Sequence, residues 1–231
     1  MIGILGGMGT QAGLDFCNKI TKLNKGKIDQ KYPMFILYNK SNVPRRSENK
    51  NKYRAVLKSL IIGCQFLQKN KCKFIAIPCN TAHHWYEDLQ KKIKVPIVNM
   101  PKQVYLYSKK KCKKQSKIGM LSTEATIKTK VYSKFFDKNF NLINPTKSLQ
   151  IKSVNKAIKY VKMGKVKEAA KSIKPAINYL IKMKCKKIIL GCTELPIAIF
   201  AFKSLKKTKL SKVFIDPNLL LAEIAMKKYK S

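Results

Sequence analysis

Residues 71–82, KCKFIAIPCNTA, are echoed by residues 184–195, KCKKIILGCTEL. In each copy an apolar run leads to a second cysteine, Cys79 or Cys192, which lies seven positions after the first, and a threonine follows within two residues. Each copy also comes after an amphipathic stretch of helical period, which indicates a helix that leads into a strand. The repeat therefore predicts two similar half-domains, each with one cysteine at the end of a strand.

Strand-like and helix-like segments alternate along the whole chain. This alternation is typical of parallel sheets that are covered by helices on both faces. We therefore expect an α/β fold of two similar domains, related by pseudo-two-fold symmetry, with the active site between them. Residues 1–100 form the predicted first half-domain, which carries Cys79, and residues 101–211 form the second, which carries Cys192. The predicted strands are residues 2–5, 34–38, 74–77, 95–98, 117–121, 140–143, 187–190 and 213–215.

Helical periodicity also predicts which residues of the first helices are buried. In the helix predicted over residues 11–23, one face carries Leu14, Cys17 and Ile20. A helix is predicted over residues 53–69, and its stripe consists of Leu57, Leu60, Ile61, Cys64 and Leu67. A further helix is predicted from Thr81 to about residue 93.

The formal net charge of +39 at pH 7 suggests nucleic-acid binding, because basic surfaces attract phosphates. However, only Arg45, Arg46 and Arg54 among the 50 basic residues are arginine, the side chain best suited to reading phosphates and bases. The lysines are scattered over every segment, which is typical of a compositional bias. We expect no specific nucleic-acid site, only incidental, salt-sensitive binding of polyanions and an attraction for anionic substrates.

Seven cysteines without a C-x-x-C pair predict free thiols rather than a disulfide framework. The two histidines, His83 and His84, are adjacent and point in different directions on a helix, so we expect no metal site. The start, MIGILGGMGT, has no basic leader, and no apolar run approaches the roughly 20 residues that span a bilayer. These features predict a soluble, cytoplasmic protein without a membrane partner.

Glycines cluster directly after the first strand, at Gly6, Gly7 and Gly9. The spacing G-x-x-G-G-x-G differs from the dinucleotide-binding pattern G-x-G-x-x-G, so a nucleotide site is disfavoured. We expect instead a loop in which the backbone N–H groups of Met8 and Gly9 approach a small substrate.

Cys79 and Cys192 are the candidate reactive residues. Each ends an apolar strand and precedes a predicted helix, for which Thr81 and Thr193 are candidate first-turn residues. A helix N-terminus carries partial positive charge, so this position predicts a lowered thiol pKa that favours thiolate. Two such cysteines on opposite sides of a cleft would suit proton transfer by two bases. The other five cysteines are interpreted as buried small hydrophobic residues.

Three strings, PCNTAH at residues 78–83, GCTEL at 191–195 and IGILGGMG at 2–9, together resemble the aspartate/glutamate racemase superfamily. The likeness is greater to its aspartate racemase branch, because glutamate racemases carry His after the second C-T, where this chain has Glu194. The resemblance runs along essentially the whole chain, including IDP at residues 215–217. In keeping with it, and because the second copy of the repeat ends near Leu195, we expect residues 212–231 to return to the first half-domain.

The resemblance implies a cofactor-independent racemase that is commonly a homodimer. In such an enzyme one thiolate removes the α-proton of an amino acid, and the opposite thiol supplies a proton to the other face. VPRR at residues 43–46 resembles the family's I-P-D-R, and VKMG at 161–164 resembles its V-K-A-G; these likenesses assign a substrate side-chain carboxylate to Arg46 and Lys162. The groups implied for the α-carboxylate and ammonium are Asn80, Thr81, Thr123, Thr193 and the N–H groups of the loop at Met8 and Gly9.

The chain departs from the family pattern at Arg45, where an Asp is usual, and at Thr10, where a Pro is frequent. Both cysteines of the motif are present, so a racemase rather than a one-cysteine lyase or decarboxylase is expected. The predicted function is racemisation of an acidic amino acid, with aspartate first. A glutamate racemase that supplies D-glutamate for peptidoglycan is the alternative, and a basic nucleic-acid-binding protein is a third, more remote one.

Overall fold

The computed structural model describes residues 1–24, 26, 28–46, 50–201 and 209–231. The chain divides into two compact units: Met1–Met100 together with Asn218–Ser231 forms unit 1, and Pro101–Pro217 forms unit 2. Each unit contains one parallel sheet with helices packed on it, which confirms the predicted α/β architecture. Among the described helices, none combines the length and the apolar composition that crossing a bilayer requires.

The strands are β1 (Ile2–Gly6), β2 (Phe35–Asn39), β3 (Phe74–Ala76), β4 (Lys117–Ser122), β5 (Asn141–Ile143), β6 (Lys187–Gly191) and β7 (Phe214–Ile215). The described helices are α1 (Thr10–Leu23), α2 (Lys50–Lys69), α3 (Tyr86–Lys92), α4 (Met100–Lys111), α5 (Glu124–Lys128), α6 (Ser133–Phe136), α7 (Lys147–Leu149), α8 (Lys156–Lys162), α9 (Val166–Lys182), α10 (Leu195–Phe200) and α11 (Pro217–Lys230). A π-helical segment, Gln150–Asn155, joins α7 to α8.

The sheet of unit 1 has the order β2-β1-β3, and its strands are parallel. All residues of β1 are buried, as expected of a central strand that is covered on both faces. An isolated parallel bridge between Ile75 and Ile97 extends the pairing beyond β3. Because parallel strands end at the same edge, the loops that follow β1, β2 and β3 are brought together there.

Two apolar clusters cover the faces of this sheet. On one face, α2 packs through Leu60, Cys64 and Leu67, so the predicted stripe of this helix is confirmed. On the other face, α1 packs against α11 through Phe16 and Ile20.

The stripe predicted for α1 is wrong at Leu14, whose side chain is 45% exposed. The buried face is instead centred on Ala12, Gly13 and Phe16. A Cβ placed on Gly13 would lie 3.5 Å from Cα of Gly6, so the helix approaches β1 closely on this side. The helical period of apolar residues predicts that one face of α1 is buried, but it does not show which residues of the helix lie nearest to the sheet.

The sheet of unit 2 has the order β5-β4-β6-β7, and all its pairings are parallel. One face is covered by α8, α9, α10 and the π-helical segment through a continuous apolar cluster that includes Val154, Ile173 and Leu180. Aromatic rings pack around Phe136, which has ring contacts to Tyr105 and Tyr132. The unit therefore has its own core.

Three sequence-based expectations are corrected by the structure. The strand at 213–215, expected to return to the first half-domain, pairs as β7 with β6 of unit 2, and Phe214 joins the core of that unit. The helix α11 alone is placed with unit 1. The helix predicted from Thr81 begins as the 3₁₀ turn Thr81–Trp85 and becomes α-helical at Tyr86. Residues 95–98 contribute the single bridge described above rather than a full strand.

Cys64 predicts a loss of stability at alkaline pH. Burial raises the pKa of this thiol from 9.0 to about 12. Between these values the unfolded chain loses the proton while the folded chain keeps it, so stability falls as pH rises, by about 1.4 kcal/mol per pH unit. Urea unfolding between pH 8 and pH 11 should therefore show a shallower loss in Cys64→Ala than in the wild type. Equal slopes for the two proteins would contradict the assignment.

Candidate active site

The loop after β1 brings the backbone close to the carboxyl edge of the sheet in unit 1. Gly7 has φ +88, and a Cβ there would lie 2.3 Å from the backbone carbonyl of Lys40, so the position requires glycine. Met8 beside it is buried, with 4% of its surface exposed. The predicted substrate loop is thus packed directly against the residues that follow β2.

Gly7→Ala is expected to destabilise the chain by about 2 kcal/mol or more, because left-handed backbone and a backbone clash add. Gly164→Ala is a matched control, since Gly164 has φ +73 but a Cβ there would meet no described atom within 4 Å. The control should lose only about 1 kcal/mol. Denaturant unfolding of both variants measures the difference, and equal losses would contradict the close packing of the loop.

Arg46 lies against this loop. Its Nη2 donates to the carbonyl oxygen of Met8 at 3.0 Å, and its Nη1 donates to that of Pro44 at 3.4 Å. The side chain is half-buried, whereas the neighbouring Arg45 is exposed. Backbone carbonyls therefore hold the Arg46 guanidinium against the loop.

Cys79 lies in the turn after β3 and is buried, with 5% exposed. Its N–H donates to the carbonyl of Ile77 at 2.7 Å. Its own carbonyl oxygen lies 2.9 Å from Nδ1 of His83, and Nε2 of the same ring lies 3.2 Å from the carbonyl oxygen of Val98. His83 therefore connects the cysteine turn to the segment that bridges β3. Asn80 and Thr81, which follow the cysteine, are buried as well.

In unit 2, Cys192 directly follows β6. Ser122 of β4 pairs with Gly191, so the residues after both strands leave the sheet at the same level. The Cys192 thiol donates a hydrogen bond to Oε2 of Glu194, with Sγ and Oε2 2.9 Å apart. Both residues are buried, at 7% and 3% exposed.

The environment of Cys192 raises its pKa well above the ordinary value. Burial is the largest cause, and the negative charge of Glu194 and its hydrogen bond come next. Lys162 opposes the shift through its positive charge. The expectation that a helix N-terminus lowers this pKa is therefore wrong for Cys192: α10 begins only at Leu195, and the nearest charge is a carboxylate. Cys192 is set up as a thiol, that is, as a proton donor.

Lys162 ends α8, and its Nζ lies 3.9 Å from Oε1 of Glu194. The Lys162 side chain is 55% exposed, whereas that of Glu194 is 4% exposed. One carboxylate thus has the thiol on one oxygen and the ammonium near the other. Such a group can exchange a proton with the sulfur while its charge is partly balanced.

Thr123 after β4 has a structural use. Its Oγ1 accepts from the N–H of Thr126 at 3.2 Å, and the two hydroxyl oxygens are 2.9 Å apart, so Thr123 caps α5. Gln150 holds the same turn, because its Nε2 donates to the carbonyl of Ser122 at 2.9 Å. The turn that carries Thr123 is thereby fixed against the π-helical segment.

The predicted site residues fall into two groups. Unit 1 contains Met8, Gly9, Arg46, Cys79, Asn80 and Thr81, and unit 2 contains Thr123, Lys162, Cys192 and Thr193. Contacts join Arg46 to Met8 in the first group and Lys162 to Cys192, through Glu194, in the second. Each unit contains one of the two cysteines.

Sequence patterns did not identify Glu194 or His83 as site residues. A signal for Glu194 existed, because it is one of 11 acidic residues in a strongly basic chain and lies two positions after a candidate cysteine. For His83 the spacing alone gave no sign that both ring nitrogens would meet backbone carbonyls. Within the described residues, no group of three or more His, Cys, Asp or Glu side chains is arranged to hold a metal ion.

Comparison with known proteins identifies relatives of this chain. A model of the Asp/Glu/Hydantoin racemase family matches residues 5–225. The solved structure of the Picrophilus torridus aspartate racemase has a TM-score of 0.83 at 30% sequence identity, over 99% of this chain and 94% of that one. The broad specificity amino-acid racemase RacX of Bacillus subtilis (strain 168) is 29% identical over 199 residues, which are 84% of this chain and 86% of RacX.

A glutamate racemase of Limosilactobacillus reuteri (strain DSM 20016) is 29% identical over 141 residues, 60% of this chain and 50% of that protein. The resemblance first seen in the cysteine motifs is confirmed by the family match, which spans nearly the whole chain. The chain belongs to the Asp/Glu/Hydantoin racemase family, and it is an amino-acid racemase of that family.

Proposed function

We propose that this chain racemises an acidic amino acid, aspartate first, with Cys79 and Cys192 as the two acid/base groups and without a cofactor. The observation that supports this most directly is the repeated segment itself. It puts one buried cysteine at the carboxyl end of a parallel strand in each unit. Ligands of parallel α/β sheets bind beyond the carboxyl ends of the strands.

The chemistry requires two groups. The α-hydrogen of an amino acid is a very weak acid, so its removal needs a placed base and stabilisation of the carbanion that forms. Inversion further requires that the new proton arrive on the face opposite to the one that was lost. One thiolate and one thiol meet this requirement, and they exchange roles when the reaction runs in reverse.

Unit 2 supplies the protonated partner in this proposal. The raised pKa keeps Cys192 a thiol at neutral pH, ready to deliver its proton. In the reverse direction Cys192 must become thiolate, and Glu194 at 2.9 Å is the acceptor for its proton. Glu194 therefore acts through Cys192 as a positioning and proton-relay residue.

The remaining groups are proposed to bind the substrate. Arg46 and Lys162 carry the positive charge that a side-chain carboxylate needs, as a planar fork and a point charge respectively. Both have polar partners in the structure that a substrate would meet or replace. The α-carboxylate and ammonium are assigned to the backbone at Met8 and Gly9 and to Asn80, Thr81, Thr123 and Thr193.

Aspartate is proposed before glutamate because the aspartate racemase structure matches with a TM-score of 0.83 at 30% identity, whereas glutamate racemase structures that cover this chain equally well match with TM-scores of 0.63–0.68 at 18–20% identity. The likeness to RacX, a broad specificity enzyme, makes a wider substrate range the second candidate.

The test is racemisation of a panel of L- and D-amino acids by the purified chain, without pyridoxal phosphate and with chelator present. We expect loss of optical activity with aspartate and a lower rate with glutamate. Activity confined to glutamate would reassign the substrate, and inactivity toward every amino acid would overturn the function.

A nucleic-acid role is tested separately by measuring DNA and RNA binding against salt. Lysine-driven binding should weaken steeply as salt rises, because it depends on release of counterions. A complex that persists at high salt with a sequence preference would instead support the nucleic-acid alternative.

A further inference from the structure

The Glu194 carboxylate is shared between two partners that have different uses. Oε2 accepts the hydrogen bond from Cys192 at 2.9 Å, and Oε1 lies 3.9 Å from Nζ of Lys162. The second distance is that of an ion pair rather than a hydrogen bond. The same lysine is proposed to bind the side-chain carboxylate of the substrate. The Glu194 carboxylate and the substrate carboxylate would therefore compete for one ammonium group.

The side chains of Glu194 and Lys162 differ in how freely they can move away from each other. Glu194 is fixed in the core of unit 2, with 4% of its side chain exposed, whereas the Lys162 side chain is 55% exposed at the end of α8. A lysine ammonium on a flexible, exposed stem loses little when it exchanges one carboxylate for another. The buried carboxylate stays behind without its cation.

We propose that Glu194 holds Lys162 while the site is empty and that the side-chain carboxylate of the substrate takes the lysine from it. This inference rests on the proposed function, in which Lys162 binds that carboxylate. Binding of an acidic side chain and the protonation of Cys192 are thereby coupled through one shared group.

The coupling has a defined chemical result. The positive charge of Lys162 lowers the pKa of the Cys192 thiol. When the ammonium turns to the carboxylate of the substrate, this lowering weakens, so the sulfur holds its proton more tightly and Cys192 stays the proton donor. An amino acid without a side-chain carboxylate leaves the ion pair in place, and with it the lowering of the Cys192 pKa. The shared carboxylate thus links the identity of the substrate to the protonation of Cys192.

Binding of succinate, which is aspartate without its ammonium group, tests the competition independently of turnover. Titration calorimetry on the full chain compares the wild type with Glu194→Gln, Lys162→Met and the double variant. Removing the competing carboxylate should tighten succinate binding about threefold to tenfold, and removing the lysine should weaken it about tenfold. In the Lys162→Met background the Glu194→Gln change should have no effect.

Glu168→Gln is the matched control, because it removes the same charge from an exposed position in the first turn of α9. It should leave succinate affinity unchanged. If Glu194→Gln fails to fold, Glu194→Asp serves instead, since the shorter side chain withdraws its carboxylate from Lys162 and predicts the same direction.

The inference is overturned if the Glu194 change tightens succinate binding equally with and without Lys162, or does not tighten it at all. Failure of the proposed function has a different signature, namely a wild-type chain that neither racemises acidic amino acids nor binds succinate. A wild type that racemises aspartate but shows no interaction between positions 162 and 194 contradicts the competition alone.

Discussion

Replacing either Cys79 or Cys192 by serine should lower the rate of aspartate racemisation by about 1000-fold or more, because a hydroxyl is a far weaker acid than a thiol and a general acid or base contributes up to about 10⁴-fold. The change exchanges one atom at a buried position, so the fold should be retained. Polarimetry with each enantiomer measures the loss.

The two serine variants should also differ from one another. In each variant the remaining cysteine can still remove the α-proton from the enantiomer that it faces and return a proton to the same side. Incubation in D₂O should therefore label one enantiomer in Cys79→Ser and the opposite enantiomer in Cys192→Ser, without inversion. Mass spectrometry of the recovered amino acid reads this pattern.

Cys112→Ser is the control for these variants. Cys112 is half-buried, directly follows α4 and lies outside both copies of the repeated segment. Its replacement should therefore change the racemisation rate by no more than about twofold, as most substitutions away from a site do. If either Cys79→Ser or Cys192→Ser racemised at the wild-type rate, the two-thiol mechanism would be abandoned. Labelling of the same enantiomer by both variants would also contradict it.

Glu194→Gln should lower kcat by about 100-fold, since it removes the proton acceptor of Cys192 while keeping the shape of the side chain. Loss of the carboxylate also removes two of the causes that raise the Cys192 pKa, its charge and its hydrogen bond. The limb of the pH–rate profile that reports loss of the Cys192 proton should therefore move to lower pH. A variant that is merely less stable would lose activity without this shift.

Kinetic isotope effects test whether the Glu194→Gln change acts on proton transfer by Cys192. The two enantiomers have equal free energy, so kcat/KM must remain equal in both directions whatever the mutation. The kinetic isotope effects with α-deuterated substrate can differ between the two directions. The effect should rise for the enantiomer whose proton Cys192 removes and fall for the other enantiomer. Glu168→Gln should change neither value, and equal isotope effects in Glu194→Gln would contradict a role specific to Cys192.

Much of the fold could be predicted from the sequence because its signals are local. The buried stripe of α2 follows from a period that any packed helix must show, and β1 and β6 lie within one residue of their predicted ends. The misplaced strand β7 shows the limit of this reasoning. A two-residue strand has no periodicity of its own, and its pairing with β6 is decided by the free edge of that strand and by room for Phe214 in the core.

The candidate site was predicted unevenly for the same reason. Repetition singled out Cys79 and Cys192, and family likeness singled out Arg46 and Lys162. No pattern in the sequence indicates that Glu194 would point its carboxylate at the sulfur two residues before it. For Thr123 the family likeness predicts contact with the substrate, and the structure adds that its hydroxyl caps α5.

Apolar periodicity and repetition are properties of the chain read residue by residue, so two α/β halves, one cysteine motif in each and the family itself follow from the sequence alone. The chemical state of those motifs depends on the folded chain. Burial and the direction of one carboxylate make Cys192 a thiol, whereas its place before a helix had suggested a thiolate. A pKa depends on which charges and how much water surround a group, and those are properties of the folded chain.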